Sequence, residues 1–147
     1  MALIADIAEA VVTALNGHTF SQPFTAARAY RPVFDLKDMT DLHVTVVPKG
    51  VELTTAGRGL AQSDVQIDIG VQKKLASADN AEIDALVGLV QEIAEFVRST
   101  GRFGLPAGAG DAAWVKTENT PIYSQEHLGE LRQFTSVLTL TLRVMTA

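Results

Sequence analysis

The stretch Val65-Gln66-Ile67-Asp68-Ile69-Gly70-Val71-Gln72 decides the fold, because apolar and other side chains alternate along all eight of its residues. Successive side chains of a β-strand point to opposite faces of the sheet. The four apolar members are therefore expected on a buried face, and the remaining residues on the opposite face. We predict a strand over residues 64–75 whose sheet is covered on one side only.

A helix is predicted directly after this strand. Asp79 and Glu82 fit the N-cap and N3 positions of a capping box, and Ser99-Thr100-Gly101 is typical of a helix end. Between these signals apolar residues recur at the spacing of one helix face. The stripe comprises Ile83, Leu86, Val87, Leu89, Val90, Ile93, Ala94, Phe96 and Val97. So wide a stripe has to pack across a sheet or beneath a neighbouring element.

The remaining segments complete an α+β pattern. Helical spacing marks residues 3–15, which are followed by the stop signal Asn16-Gly17. Further strands are predicted at residues 24–31, 42–47, 51–55, 112–117 and 134–145, with Pro48-Lys49-Gly50 as a break and residues 101–111 as a glycine-rich mobile connection. Strands that cluster between helices predict a largely antiparallel β-sheet with two main helices packed on one face.

Composition limits the class of protein. The chain has 147 residues, 47% hydrophobic and 20% charged, which indicates one globular domain over residues 1–147. It has no cysteine, so disulfides and thiolate chemistry are excluded. The first residues lack the features of a signal peptide, and no apolar run is long enough to span a membrane. The net charge of −5 and the scattered Lys and Arg residues argue against reading of a nucleic-acid sequence.

Two patterns that could carry chemistry are better explained by structure. Asp35, Asp38, Asp41 and His43 lie close in sequence, but their spacing does not match a calcium loop, and turn-stabilising aspartates are expected. The glycine-rich residues 101–110 follow a helix and lack the Lys-Ser/Thr of a phosphate-binding loop. We predict no metal and no cofactor.

The histidines give no catalytic signature. His18, His43 and His127 lie far apart in sequence, and none belongs to a local motif with a nucleophile and a carboxylate. His43 is expected on the solvent face of its strand together with Thr45. We therefore predict that the protein is not an enzyme. A small enzyme with a His/carboxylate site assembled in space is the alternative from a different class.

Several segments, taken in order, resemble one family. Residues 24–38 and 42–48 give an aromatic residue, a Tyr-x-Pro step, an Asp-Leu turn and a Val-rich strand ending at proline. The strand at 65–74, the helix at 82–93 and the closing strand at 134–144 follow. In this order the segments resemble the tail terminator, or tail completion, proteins of tailed bacteriophages. The resemblance covers most of the chain.

This resemblance implies a structural virion protein of the tail and neck that assembles in the host cytoplasm. Such subunits form a ring, expected to be a hexamer, that caps the tail tube and ends its polymerisation. The implied partners are other copies of the chain, the tail tube protein and the head connector, while genomic DNA only passes through the lumen. Contacts around a ring join two different surfaces of each subunit. The runner-up is a head-tail joining or head completion protein of the neck.

Two segments are expected to contribute least to the core, residues 49–62 and residues 101–112. If they lie at subunit contacts, aromatic and arginine side chains within or beside them are suited to be interface anchors. The candidate assembly-interface residues are Arg58, Arg102, Phe103 and Trp114. The alternative is that these segments are plain surface loops, with Phe103 and Trp114 holding the second one against the core.

Overall fold

A computed structural model describes residues 3–30, 41–77, 79–106, 110–130 and 132–146. The helices are α1 Leu3–Asn16, α2 Asn80–Thr100 and α3 Gln125–Glu130. The strands are β1 Ala26–Arg28, β2 His43–Gly57, β3 Leu60–Lys74, β4 Arg102–Gly104, β5 Asp111–Glu118 and β6 Gln133–Thr146. The prediction of an α+β fold is confirmed.

The six strands form one sheet in the order β1-β2-β3-β6-β5-β4. Within the described residues only β1 and β2 pair in parallel, so the prediction of a largely antiparallel sheet is also confirmed. The long strand β3 pairs along most of its length with β2 on one side and with β6 on the other. These three strands are therefore the centre of the fold.

The sheet curls around α1. This helix contacts β1 and β2 at one end of the strand order and β4 at the opposite end. A helix can reach both ends only if the sheet bends towards it, in the sense that twisted sheets allow. The apolar side of α1, which includes Ile7, Val11 and Leu15, is fully buried in the resulting core.

The predicted alternation of the central strand is confirmed. Val65, Ile67, Ile69 and Val71 of β3 are all fully buried. Ile67 lies opposite Leu140 of β6, which is also fully buried. Burial of each such side chain contributes about 1.5–3 kcal/mol, so this layer carries a large share of the stability.

Helix α2 begins and ends where the capping signals indicate. The Asp79 carboxylate accepts a hydrogen bond of 2.9 Å from the amide of Glu82, and the Glu82 carboxylate accepts bonds of 3.0 Å from the amides of Ala76 and Ser77. Gly101 ends the helix with φ of 69°, a left-handed conformation that glycine adopts without strain. Of the predicted stripe, Leu86, Leu89, Val90, Ile93 and Val97 are buried.

The predicted break at Pro48-Lys49-Gly50 is wrong. Strand β2 continues through it to Gly57, so the separate strand predicted at residues 51–55 is the second half of β2. Pro48 lies opposite Ile67 and Gly50 lies opposite Gln66, which leaves Lys49 as the extra residue of a β-bulge. A bulge accommodates proline inside a strand, because the irregular pairing there does not require its missing N–H.

Four other sequence predictions can be compared with the structure. Part of the connection predicted at residues 101–111 is the short strand β4, paired with the start of β5, and residues 107–109 lie outside the described residues. Helix α3 was missed because it has six residues, none of them buried, and therefore no apolar stripe. Thr45 is only 2% exposed, so its expected place on a solvent face is wrong. Asp35 and Asp38 lie outside the described residues.

We predict that Asp79→Ala lowers the free energy of unfolding by about 1 kcal/mol, because the amide of Glu82 loses its acceptor. Urea unfolding followed by circular dichroism measures the change. The matched control is Asp84→Ala, which removes an exposed carboxylate from the same helix and is expected to change stability by less than about 0.5 kcal/mol. Equal effects of the two substitutions would contradict the capping role.

Candidate assembly surface

The β2–β3 hairpin extends beyond the core as a projection that we call the arm, residues 49–62. Every residue from 51 to 60 is exposed, although the two strands remain paired up to Gly57 and Leu60. Val51 is 52% exposed, Leu53 67% and Leu60 45%. The arm is thus held in shape by backbone hydrogen bonds while it presents apolar side chains to solvent. Clustered exposed apolar side chains are typical of protein interaction sites.

The arm also carries charges that make no ion pair within the described residues. Arg58 lies at the tip of the turn beside Gly59, whose φ of 72° the tight turn requires. Glu52 lies on β2 opposite Asp64. By contrast, the ammonium group of Lys49 lies 3.8 Å from the Asp68 carboxylate. Arg58 and Glu52 are therefore available to a partner.

An ion pair fixes the base of the arm to the sheet. Arg143 of β6 donates two hydrogen bonds, of 2.8 and 3.2 Å, to the Asp64 carboxylate of β3. The bonded guanidinium lowers the pKa of Asp64 below its ordinary value and raises the pKa of Arg143. Next to this pair, Thr139 donates a 2.7 Å hydrogen bond to Asp68. The outer face of the central strands is consequently polar where the arm begins, and side-chain hydrogen bonds join β3 to β6 there.

A second concave surface lies between α1 and the chain around β4, and we call it the α1 groove. It has a volume of about 580 Å³ and is mostly apolar, with Ala10, Ala14 and Leu105 among its lining residues. Among the described residues, Asp6 and Glu9 form its acidic rim. Glu9 pairs with Arg28 at 2.7 Å, whereas Asp6 makes no ion pair with another described residue.

The structure brings Arg102, Phe103 and Trp114 together on the paired strands β4 and β5 and places Arg58 apart from them. Arg58 is exposed at the tip of the arm, and Arg102 is exposed at the α1 groove. Phe103 is only 3% exposed and belongs to the core, so its side chain anchors β4 as the alternative interpretation expected. Trp114 is half-buried, and its Nε1 donates a 2.8 Å hydrogen bond to Thr117. A role of any of them in assembly stays a prediction.

Sequence reasoning selected residues 49–62 as a candidate contact segment but named only Arg58 in it, and not the apolar residues. Val51 and Leu53 have the same alternation as a buried strand, so their pattern predicts a covered face. The structure shows that β2 is an uncovered edge at these residues, because β1 pairs with β2 only as far as Val46, while β6 continues along the other side of β3 as far as Ala61. Asp6 was also missed, because an acid in the first turn of a helix is ordinary.

The histidines lie on separate elements of the chain. The ring of His18 stacks on Phe96 with centroids 4.4 Å apart, and His127 Nδ1 lies 2.8 Å from the hydroxyl of Thr135. His43 lies in β2 opposite Gln72. Within the described residues no group of three His, Asp or Glu side chains is placed to hold a metal ion.

One shallow depression does bring a histidine near carboxylates. His18 lines it together with Glu92, Glu95 and Ser99. Both carboxylates already have partners: Glu92 accepts hydrogen bonds from the amide and hydroxyl of Ser21, and Glu95 binds Arg98 at 2.8 Å. The arginine lowers the pKa of Glu95. A catalytic site that uses His18 would lie in this depression.

Comparisons with known proteins leave the family unassigned. A scan against protein-family models and a search of curated proteins each return no match. In the described part of the chain, no helix combines the length and apolar character needed to cross a membrane. The resemblance to tail terminators therefore stays a prediction from the sequence segments.

We predict that the Asp64 carboxyl titrates below the ordinary aspartate value of about 3.9, and that Arg143→Gln moves its midpoint upward. NMR detection of the carboxyl carbon follows both titrations. Because the folded pKa is the lowered one, the pair stabilises the fold above the unfolded pKa, and this stabilisation is lost as pH falls through the folded pKa. Lys49→Gln, which removes the partner of Asp68 instead, is the control. Identical Asp64 midpoints with and without Arg143 would contradict the assignment.

Proposed function

We propose that this protein is a structural assembly subunit of the tail terminator kind, which caps a phage tail tube as a ring and ends tube polymerisation. The observation that supports this most is the arm, a paired hairpin that exposes Val51, Leu53 and Leu60 to solvent. Exposed apolar side chains on a projection raise the free energy of a subunit that stays alone. They therefore favour association with another protein. A subunit that assembles buries them.

The rest of the fold suits such a subunit. In this proposal both long helices cover the same apolar face of the sheet, and the membership of α1 and α2 in one core cluster supports that arrangement. The other face, with Asp64, Asp68 and Arg143, is then free to meet the tube or the connector. The net charge of −5 suits a ring whose lumen DNA crosses without sticking.

The runner-up is a head-tail joining or head completion protein of the neck, which would use the same kind of surfaces. It differs in its partner, because it binds the head connector and leaves tail tubes uncapped. The enzymatic alternative depends on the depression around His18 or on the other histidines. Assembly by a variant with His18, His43 and His127 replaced by glutamine would argue against that alternative.

We predict that the purified protein, alone or on tail tubes of the same virus, reaches the mass of six subunits and limits tube growth. Multi-angle light scattering and sedimentation velocity give the mass. Electron microscopy of tubes that polymerise with and without the protein gives their length distribution. Capping produces shorter tubes with an added disc at one end.

The negative results separate the alternatives. A monomer that leaves tube length unchanged at high concentration, and does not bind the tube ends, would contradict the terminator proposal. Binding to purified head connectors under the same conditions would then favour the neck protein.

A further inference from the structure

We infer that the arm of one subunit packs into the α1 groove of the next copy, so that this contact repeats around the ring. The inference rests on the proposed function, since it names the surfaces by which one copy recognises another. It adds a specific interface, with its chemistry, to a proposal that otherwise states only that subunits associate.

The apolar parts of the two surfaces fit each other. The arm offers Val51, Leu53 and Leu60, which are each about half exposed or more. The α1 groove has a volume of about 580 Å³ and a lining that is mostly apolar. This volume lies within the range of roughly 300–1,000 Å³ typical of concave binding sites. Insertion would remove apolar surface from water on both partners, which is the main driving force for association.

The charges of the two surfaces are complementary. The arm carries Glu52 and Arg58, and the groove carries Asp6 and Arg102. None of these four side chains makes an ion pair with another described residue. Each surface thus presents one acid and one base without a charged partner, and the other surface supplies the opposite pair. Complementary charges of this kind select the partner and its orientation.

A second, more enclosed apolar depression lacks this match. It has a volume of about 350 Å³ and lies between α2 and β5, beside Trp114. Its charged residues Glu95 and Arg98 already bind each other at 2.8 Å. It therefore offers no unpaired charge to Arg58 or Glu52. We assign the arm to the α1 groove for this reason.

The positions of the two surfaces are compatible with a ring. No arm residue lines the α1 groove of its own chain, so the arm and the groove are different surfaces of one subunit. A contact between two different surfaces is heterologous, and it continues from copy to copy until rotation closes the circle. Each subunit then gives one arm and receives one.

The absence of cysteine allows a direct test by site-specific cross-linking. Thr55→Cys places a thiol on the arm, and Thr13→Cys places one on the exposed rim of the groove. We expect a short bis-maleimide to join the two variants when they are mixed, whereas each variant alone stays uncross-linked. A protein with both substitutions should give a ladder that ends at the size of the ring. Gln125→Cys, exposed on α3, is the matched control thiol.

Charge reversal gives a second test of the same contact. Arg58→Glu or Asp6→Lys alone should raise the concentration needed for assembly by about tenfold or more, since each places like charges together. The double variant Arg58→Glu/Asp6→Lys should restore assembly, which a loss of folding would not do. Lys74→Glu, at the opposite end of β3 from the arm, is the control and should assemble normally. Failure of the double variant to recover would count against the pairing.

The outcomes distinguish this inference from the proposed function. If the wild-type protein forms rings or caps tubes but Thr55→Cys and Thr13→Cys do not cross-link, the arm–groove contact is wrong and the terminator proposal stands. Cross-links between two Thr55→Cys copies, or equally to Gln125→Cys, would also overturn it. If the wild-type protein neither associates nor caps tubes, the proposed function itself fails.

Discussion

The structure depends on the pairing of β3 with β2 on one side and with β6 on the other. This strand carries the alternating residues from Val65 to Val71, whose apolar members are fully buried. A shift of its register by one residue would turn Asp64, Gln66 and Asp68 into the core, so the register is fixed by the cost of burying charge. The positions of the helices, the polar outer face and the arm all follow from this one alignment.

The same pairing makes the arm possible. Beyond the bulge at Lys49, β3 is the described strand that pairs with β2, because β1 pairs with β2 only as far as Val46, whereas β6 pairs with β3 as far as Ala61. The tip of the arm, residues 56–60, extends past β6 and is held by the β2–β3 pairing alone, and an isolated hairpin is marginally stable in water. The ion pair of Asp64 with Arg143 lies at its base and restrains it. Contact with another protein would stabilise it further, which is why the arm is the centre of the proposed function.

Elements with a clear period or cap were predictable from the sequence. The alternation of β3 and β6, the stripe of α1, and the capping residues Asp79 and Gly101 of α2 each follow from local chemistry. The bulge at Lys49 was not predictable, because proline and glycine equally indicate the end of a strand. Helix α3 has no buried face, so its sequence shows no apolar periodicity that would predict a helix.

The surfaces were harder to predict than the elements. Arg58 could be selected because a glycine-flanked arginine indicates an exposed tip, but Phe103 gives no sign of whether it faces solvent or core. Residues 49–62 could be selected as a candidate contact segment, but the alternation of Val51 and Leu53 does not indicate that they are exposed. Their exposure depends on β2 being an edge strand beyond Val46. Asp6 and Arg102 are distant in sequence and meet at one groove because the curled sheet brings β4 to α1.

The most direct test of this account is the sedimentation mass, alone and on tube ends, of a variant in which an Asn-Gly turn replaces residues 53–63 and so joins Glu52 to its strand partner Asp64. The hydrophobic core lies outside these residues, so the variant should keep a urea midpoint close to that of the wild-type protein. We expect the wild-type protein to reach the mass of a ring and the shortened protein to remain a monomer that does not bind tubes. A shortened protein that assembles as well as the wild type would contradict the central role of the arm.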